Sequence, residues 1–183
     1  MTATPLGLIA GAGRFPFEVA QEARRAGRRV IAIGLRGWAD PTLAQQVEAY
    51  HDVSVGELGQ LIAHLKAAGI RQAVMAGKVT KEVLFDARTA FDAEAAQVLS
   101  NVKDYSVPAL LGAIGQRLAQ EGIALLDSST FLQASLCPVG VLTARAPTPV
   151  EAEDIRVGLE VARALATVDV GQTIVVKQRV IVA

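Results

Sequence analysis

The sequence predicts an α/β fold: a Rossmann-like doubly wound parallel sheet in residues 1–136, then an incomplete second α/β domain in residues 137–183. Three observations predict it. Short aliphatic runs alternate with helix-period segments as far as residue 127, which is the pattern of strands joined by helical crossovers. The first run leads directly into Gly11-Ala12-Gly13 and a helix start. Between residues 128 and 146 the periodicity is lost among Ser, Thr, Gly, Arg and a Cys-Pro pair, which places a domain boundary near Leu136.

The elements follow in order. Residues 6–10, 29–33, 52–55, 72–76 and 123–127 read as strands. The first helix begins near Pro16, whose missing N–H costs nothing in a first turn, and ends before Gly27. Asp40-Pro41 opens a second helix in the same way. Leu58, Leu61, Ile62 and Leu65 stripe a third, closed by Gly69, and Leu110, Leu111, Ile114 and Leu118 stripe another, closed by Gly122. Right-handed crossovers between these strands give helices on both faces of the sheet. In the second segment, Thr148 and Glu151 have the spacing of a capping box. The helix they open carries Ile155, Leu159 and Ala162 on one face, and Gly171 follows its end. Residues 173–177 and 180–183 read as two strands joined at Gln178-Arg179. One helix and a hairpin bury little apolar surface, so this segment is expected to be truncated or to pair with another chain, a second copy included.

Composition narrows the function. Eighteen Lys and Arg balance eighteen Asp and Glu, leaving no net charge to attract nucleic acid or an acidic membrane non-specifically. No apolar run reaches the roughly 18 residues of a membrane span, and the first strand is too short for a signal-peptide core. A cytoplasmic protein without a transmembrane segment is expected. The single cysteine, Cys137, has no partner for an internal disulfide and no Cys or His at metal-ligand spacing, so it is expected to be a buried structural thiol.

Two motifs carry the candidate chemistry. A strand, a glycine loop and a helix start in succession let backbone N–H groups and the helix dipole hold a phosphate, which makes Gly11, Ala12, Gly13 and Arg14 candidate binding residues. The same glycines serve a tight turn and close helix packing equally well. A dinucleotide fingerprint would have a third glycine where Pro16 stands and an acidic residue after the second strand. Gly34-Leu35-Arg36 stands there instead, which weakens a nicotinamide reading, and Arg36 joins Arg14 as a cation able to reach a phosphate. Ala76-Gly77-Lys78-Val79-Thr80-Lys81 follows the fourth strand and should emerge at the carboxyl edge, where open α/β sheets bind ligands. Gly77, Lys78 and Thr80 are therefore candidates, with Lys78 the best cation for a phosphoryl group. No GxxxxGK[ST] sequence occurs. Asp86, Asp92, Glu94, Asp104 and Asp127 show no metal-ligand spacing and read as surface charges, and His51 and His64 read as ordinary histidines without a role.

Taken together, the sequence resembles the LpxI family, formerly a family of unknown function. The resemblance rests on residues 7–13 with Pro16, on Ala76-Gly77-Lys78-Val79, on the Leu110-Leu111 helix leading to Gly122-Ile123, and on Asp169-Val170-Gly171-Gln172-Thr173. It implies hydrolysis of the pyrophosphate in UDP-2,3-diacylglucosamine to UMP and 2,3-diacylglucosamine 1-phosphate, a step of lipid A synthesis. It also implies a divalent cation, Mg²⁺, a lipid-linked UDP-sugar as substrate, and a place in the cytoplasm peripheral to the inner membrane. In that family a catalytic aspartate is expected further along than Ala183, so residues 1–183 alone are expected to be inactive or very weak. Asp154 and Asp169 read as helix-terminus residues. The sequence departs from some members at Lys81-Glu82 and at residues 104–108. Readings of other classes are a nucleotide-sugar binding module without chemistry, and an NAD-dependent oxidoreductase on fold analogy alone.

Overall fold

The computed structural model describes residues 4–84, 86, 89–102, 105–168, 170, 171 and 173–183. Asp104, Asp169, Gln172 and the Lys81 side chain, all named above, lie outside the described part. The chain divides into two compact units, residues 1–136 and 137–183.

In the first unit, β1 (Leu6–Ala10), β2 (Val30–Leu35), β3 (Ala49–Val53), β4 (Gln72–Ala76) and β5 (Ala124–Leu126) form one parallel sheet in the order β3-β2-β1-β4-β5. The order reverses at β1, between β2 and β4, which is the switch point of a doubly wound sheet. All five residues of β1 are buried, as a central strand covered on both faces requires. Side chains alternate between the faces. Leu6, Leu8, Ala10, Val30 and Ala32 pack with α1 (Phe15–Arg25), while Ile9, Ile31, Ile33 and Val53 pack with α2 (Leu58–Ala67), α3 (Ala93–Ser100) and α4 (Val107–Gln120).

Local chemistry sets the helix limits. Pro16 lies in the first turn of α1, and α4 starts at Ser106, whose side chain accepts from the N–H of Ala109. The expected helix after Asp40 is a 3₁₀ turn, Pro41–Gln46, with Asp40 accepting from the N–H of Thr42. Only Leu43 of it is buried, so one apolar anchor holds a single short element. Helix α3 was not foreseen from the sequence. Its N-cap, Asp92, accepts from Ala95 N–H at 2.8 Å and from Gly59 N–H of α2 at 2.7 Å, so one carboxylate satisfies the starts of two helices. Strand β3 begins three residues before the expected position, because its ladder with β2 pairs Ile31 with Ala49.

The second unit holds α5 (Pro149–Thr167) and a hairpin of β6 (Val176–Lys177) and β7 (Val180–Ile181). The capping box forms: Thr148 Oγ1 accepts from Glu151 N–H, and Glu151 accepts from Thr148 N–H at 2.7 Å. Arg145 pairs with the same carboxylate at 2.7 Å, and these donors hold Glu151 down to about 2. The hairpin turns at Gln178 (φ 50°) and Arg179 (φ 63°), a doubly left-handed pair that costs side-chain-bearing residues free energy. Asp154 offsets that cost by accepting from both N–H groups, at 3.0 Å and 2.6 Å. Its role is thus to clamp the hairpin, not to cap the helix as expected. Cys137 is exposed, contrary to the expected buried thiol: it opens a unit in which none of the described residues is buried.

Candidate functional site

The carboxyl edge of the sheet brings the two predicted motifs together. The glycine loop after β1 and the loop after β4 lie side by side, joined by a two-bond bridge: Ala12 N–H donates to the Lys78 carbonyl and Lys78 N–H to the Ala12 carbonyl, both at 2.9 Å. Gly11 N–H donates to the Ala76 carbonyl at 2.8 Å. Glycine is needed on both sides of this contact. A Cβ on Gly11 would lie 2.7 Å from the Lys78 carbonyl oxygen, and one on Gly77, at φ +95°, would lie 2.7 Å from the Gly11 carbonyl carbon.

This geometry narrows the candidate phosphate-binding groups. The N–H groups of Gly11 and Ala12 are consumed by the neighbouring loop, so an anion would meet those of Gly13 and Arg14 at the start of α1. Arg14 occupies the N-cap position without a side-chain cap, and Gly13 has φ +95° with open space around it. Lys78 and Arg14 are both exposed, and Lys78 has no ion-pair partner among the described residues. Thr80 is half-buried. Arg36, at the end of β2, pairs with Asp52 at 2.7 Å, so its charge is already compensated.

Beneath the bridged loops lies a cavity of about 510 Å³. Its roof is the carboxyl ends of the strands, from Gly11, Leu35 and Ser54 to the segment from Ala76 to Thr80, and its walls are apolar faces of α2, α3 and α4. No single motif signalled this cavity. Leu110, Leu111 and Ile114 of the predicted helix stripe line it, and Leu111 is 44 % exposed.

Three of the predicted carboxylates, Asp92, Glu94 and Asp127, are engaged locally. Asp92 caps two helices, Glu94 pairs with Arg117 at 2.8 Å, and Asp127 accepts from the Ser129 N–H and hydroxyl, which holds its carboxyl below the usual range. Among the described residues no three His, Cys, Asp or Glu side chains could hold a metal ion. His51 of β3 and His64 of α2 are stacked with ring centroids 4.2 Å apart, a contact their separation in sequence concealed. Burial, and then the neighbouring ring, push the His51 imidazole below its ordinary value.

Comparison with known proteins gives matches along the chain. Residues 5–135 match the model of the LpxI N-terminal domain and residues 138–183 that of the LpxI C-terminal domain. A relative from Caulobacter vibrioides, the UDP-2,3-diacylglucosamine pyrophosphatase LpxI, is 32% identical over 182 residues, which is 97% of this chain and 63% of the relative. The chain therefore spans less than two thirds of that relative's length. Among solved structures, the biotin carboxylase domain of a single-chain bacterial carboxylase aligns with TM-score 0.43 and 14% identity, covering 91% of this chain and 34% of that one. The Bordetella bronchiseptica enzyme WbmG, in complex with NAD and UDP, aligns with TM-score 0.42 and 17% identity, covering 66% of this chain and 36% of its own. By the two family matches, which leave only residues 1–4, 136 and 137 unassigned, the chain belongs to the LpxI family.

Proposed function

We propose that this protein hydrolyses UDP-2,3-diacylglucosamine to UMP and 2,3-diacylglucosamine 1-phosphate in lipid A biosynthesis. The observation that carries the reading is family membership along both units, with a curated relative of that activity at 32% identity. Water supplies the oxygen that bonds to one phosphorus, and the bond from that phosphorus to the bridging oxygen breaks. Negative charge grows on phosphoryl oxygens, and donors placed where that charge develops lower the barrier. Lys78, with the Gly13 and Arg14 N–H groups at the start of α1, supports such a role, because the bridge between the two loops holds them in one corner.

Mg²⁺ dependence belongs to the same proposal. The carboxylates described here do not form a metal cage. Mg²⁺ is commonly held by one or two carboxylates together with substrate phosphates, so the pyrophosphate itself would supply part of its shell.

The test is UMP release from UDP-2,3-diacylglucosamine by the full gene product, with and without chelator. Mg²⁺-dependent release is expected, with Lys78→Ala slowing it about 100-fold. Tight binding of the substrate without any UMP release would replace this reading with that of a nucleotide-sugar binding module.

A further inference from the structure

We propose that His51 and His64 together form a binding site for a divalent transition-metal ion of the Zn²⁺ type, at the β3 edge of the first unit's sheet. The site is separate from the Mg²⁺ of the proposed reaction and does not depend on the pyrophosphatase reading.

Three observations point to a pair ready for a ligand. First, the chain contains two histidines in all, and folding brings them face to face: His51 of β3 and His64 of α2 have ring centroids 4.2 Å apart and planes 21° from parallel. The register explains the meeting. His51 lies opposite Ile33 of β2, on the sheet face that packs with α2, and α2 is the element that follows β3. Second, the rings are open to a ligand. Both side chains are half-buried, and their nitrogens have no hydrogen-bond partner among the described residues. Third, the charged side chains of the two elements are compensated. Asp52 of β3 pairs with Arg36 and Lys66 of α2 with Glu121, while Glu48, just before β3, pairs with Arg29. No unpaired cation of these elements opposes an incoming ion.

The chemistry selects the metal. Neutral imidazole is a good ligand for Zn²⁺, Ni²⁺ and Cu²⁺, whereas Mg²⁺ takes oxygen. Burial and the neighbouring ring favour the neutral form of His51, the form that ligates. Stacked rings do not converge on one point, so chelation turns each imidazole about its Cβ–Cγ bond. The ring contact is thereby exchanged for two metal–nitrogen bonds of about 2.0–2.1 Å. Water completes the shell, since the described residues supply no third Cys, His or carboxylate. An ion held this way exchanges with solvent, and while bound it joins the edge strand of the sheet to α2.

The experiment adds Zn²⁺ to the untagged 183-residue chain during thermal unfolding. Excess Zn²⁺ is expected to raise Tm by about 2–5 °C, reversibly with EDTA, while the same excess of Mg²⁺ leaves it unchanged. His51→Gln and His64→Gln should each lose the rise, measured against their own metal-free Tm. Cys137→Ser, which removes the exposed thiol, should keep it. Because the chain has only these two histidines, its imidazole proton resonances give a second readout: substoichiometric Ni²⁺, which is paramagnetic, should broaden both together. No rise in Tm, an equal rise with Mg²⁺, a rise that survives in either histidine variant or vanishes in Cys137→Ser, or broadening of one imidazole alone would each overturn the site and leave the pair as a packing contact.

Discussion

At the scale of single residues, the least replaceable side chain is the one that is missing. Gly11 abuts the Lys78 main chain so closely that a methyl group must push backbone atoms apart, and no rotamer change relieves it. Gly11→Ala is expected to destabilise the first unit by about 1–3 kcal/mol, measured by urea unfolding. A change within the error of the parent would mean that the two loops separate easily. His51 carries a different prediction. Its imidazole titrates below the ordinary value in the folded state, so between the two values the unfolded chain binds more protons and stability rises with pH. Unfolding free energy should therefore fall as the pH drops below about 6.5, and His51→Gln should flatten that slope. An unchanged slope in the variant would locate the dependence elsewhere. The sequence showed the glycines but not what they face: Gly11 and Gly77 meet each other's loops only after β1 and β4 pair.

At the scale of elements, local signals were read where they are written in consecutive residues. The capping box at Thr148 and Glu151, the ends of β1 and β4, and the start of α1 at its proline all coincide with the structure. Helix α3 escaped because eight residues with Ala at three positions carry little apolar period. What specifies it is Asp92, working through a bond to Gly59 that lies 33 residues away. Similarly, Gln178-Arg179 has none of the Asn-Gly chemistry that favours a tight hairpin turn, and the missing preference is supplied from α5 by Asp154. Asp154→Ala is expected to remove roughly 1 kcal/mol from the hairpin and to raise amide exchange at Gln178 and Arg179 selectively. Equal protection of those two amides in the variant would show that the turn holds itself.

At the scale of the whole molecule, the alternation of strands and helices disclosed the parallel sheet and which edge carries its carboxyl ends. The cavity was legible only as a helix stripe, since core-facing and cavity-facing leucines have the same spacing. The candidate anion site was legible as two separate motifs, and folding merges them. Among the described residues no helix is long and apolar enough to cross a membrane. The bridge between Ala12 and Lys78 has a consequence for how such a molecule can change over generations. Both of its hydrogen bonds run through the main chain, so neither depends on which side chain stands at either position. Architecture and charge at this corner are therefore inherited separately. The glycines on either side are fixed by geometry, while the side chain at position 78 can be exchanged, as in Lys78→Ala, without loosening the frame that presents it.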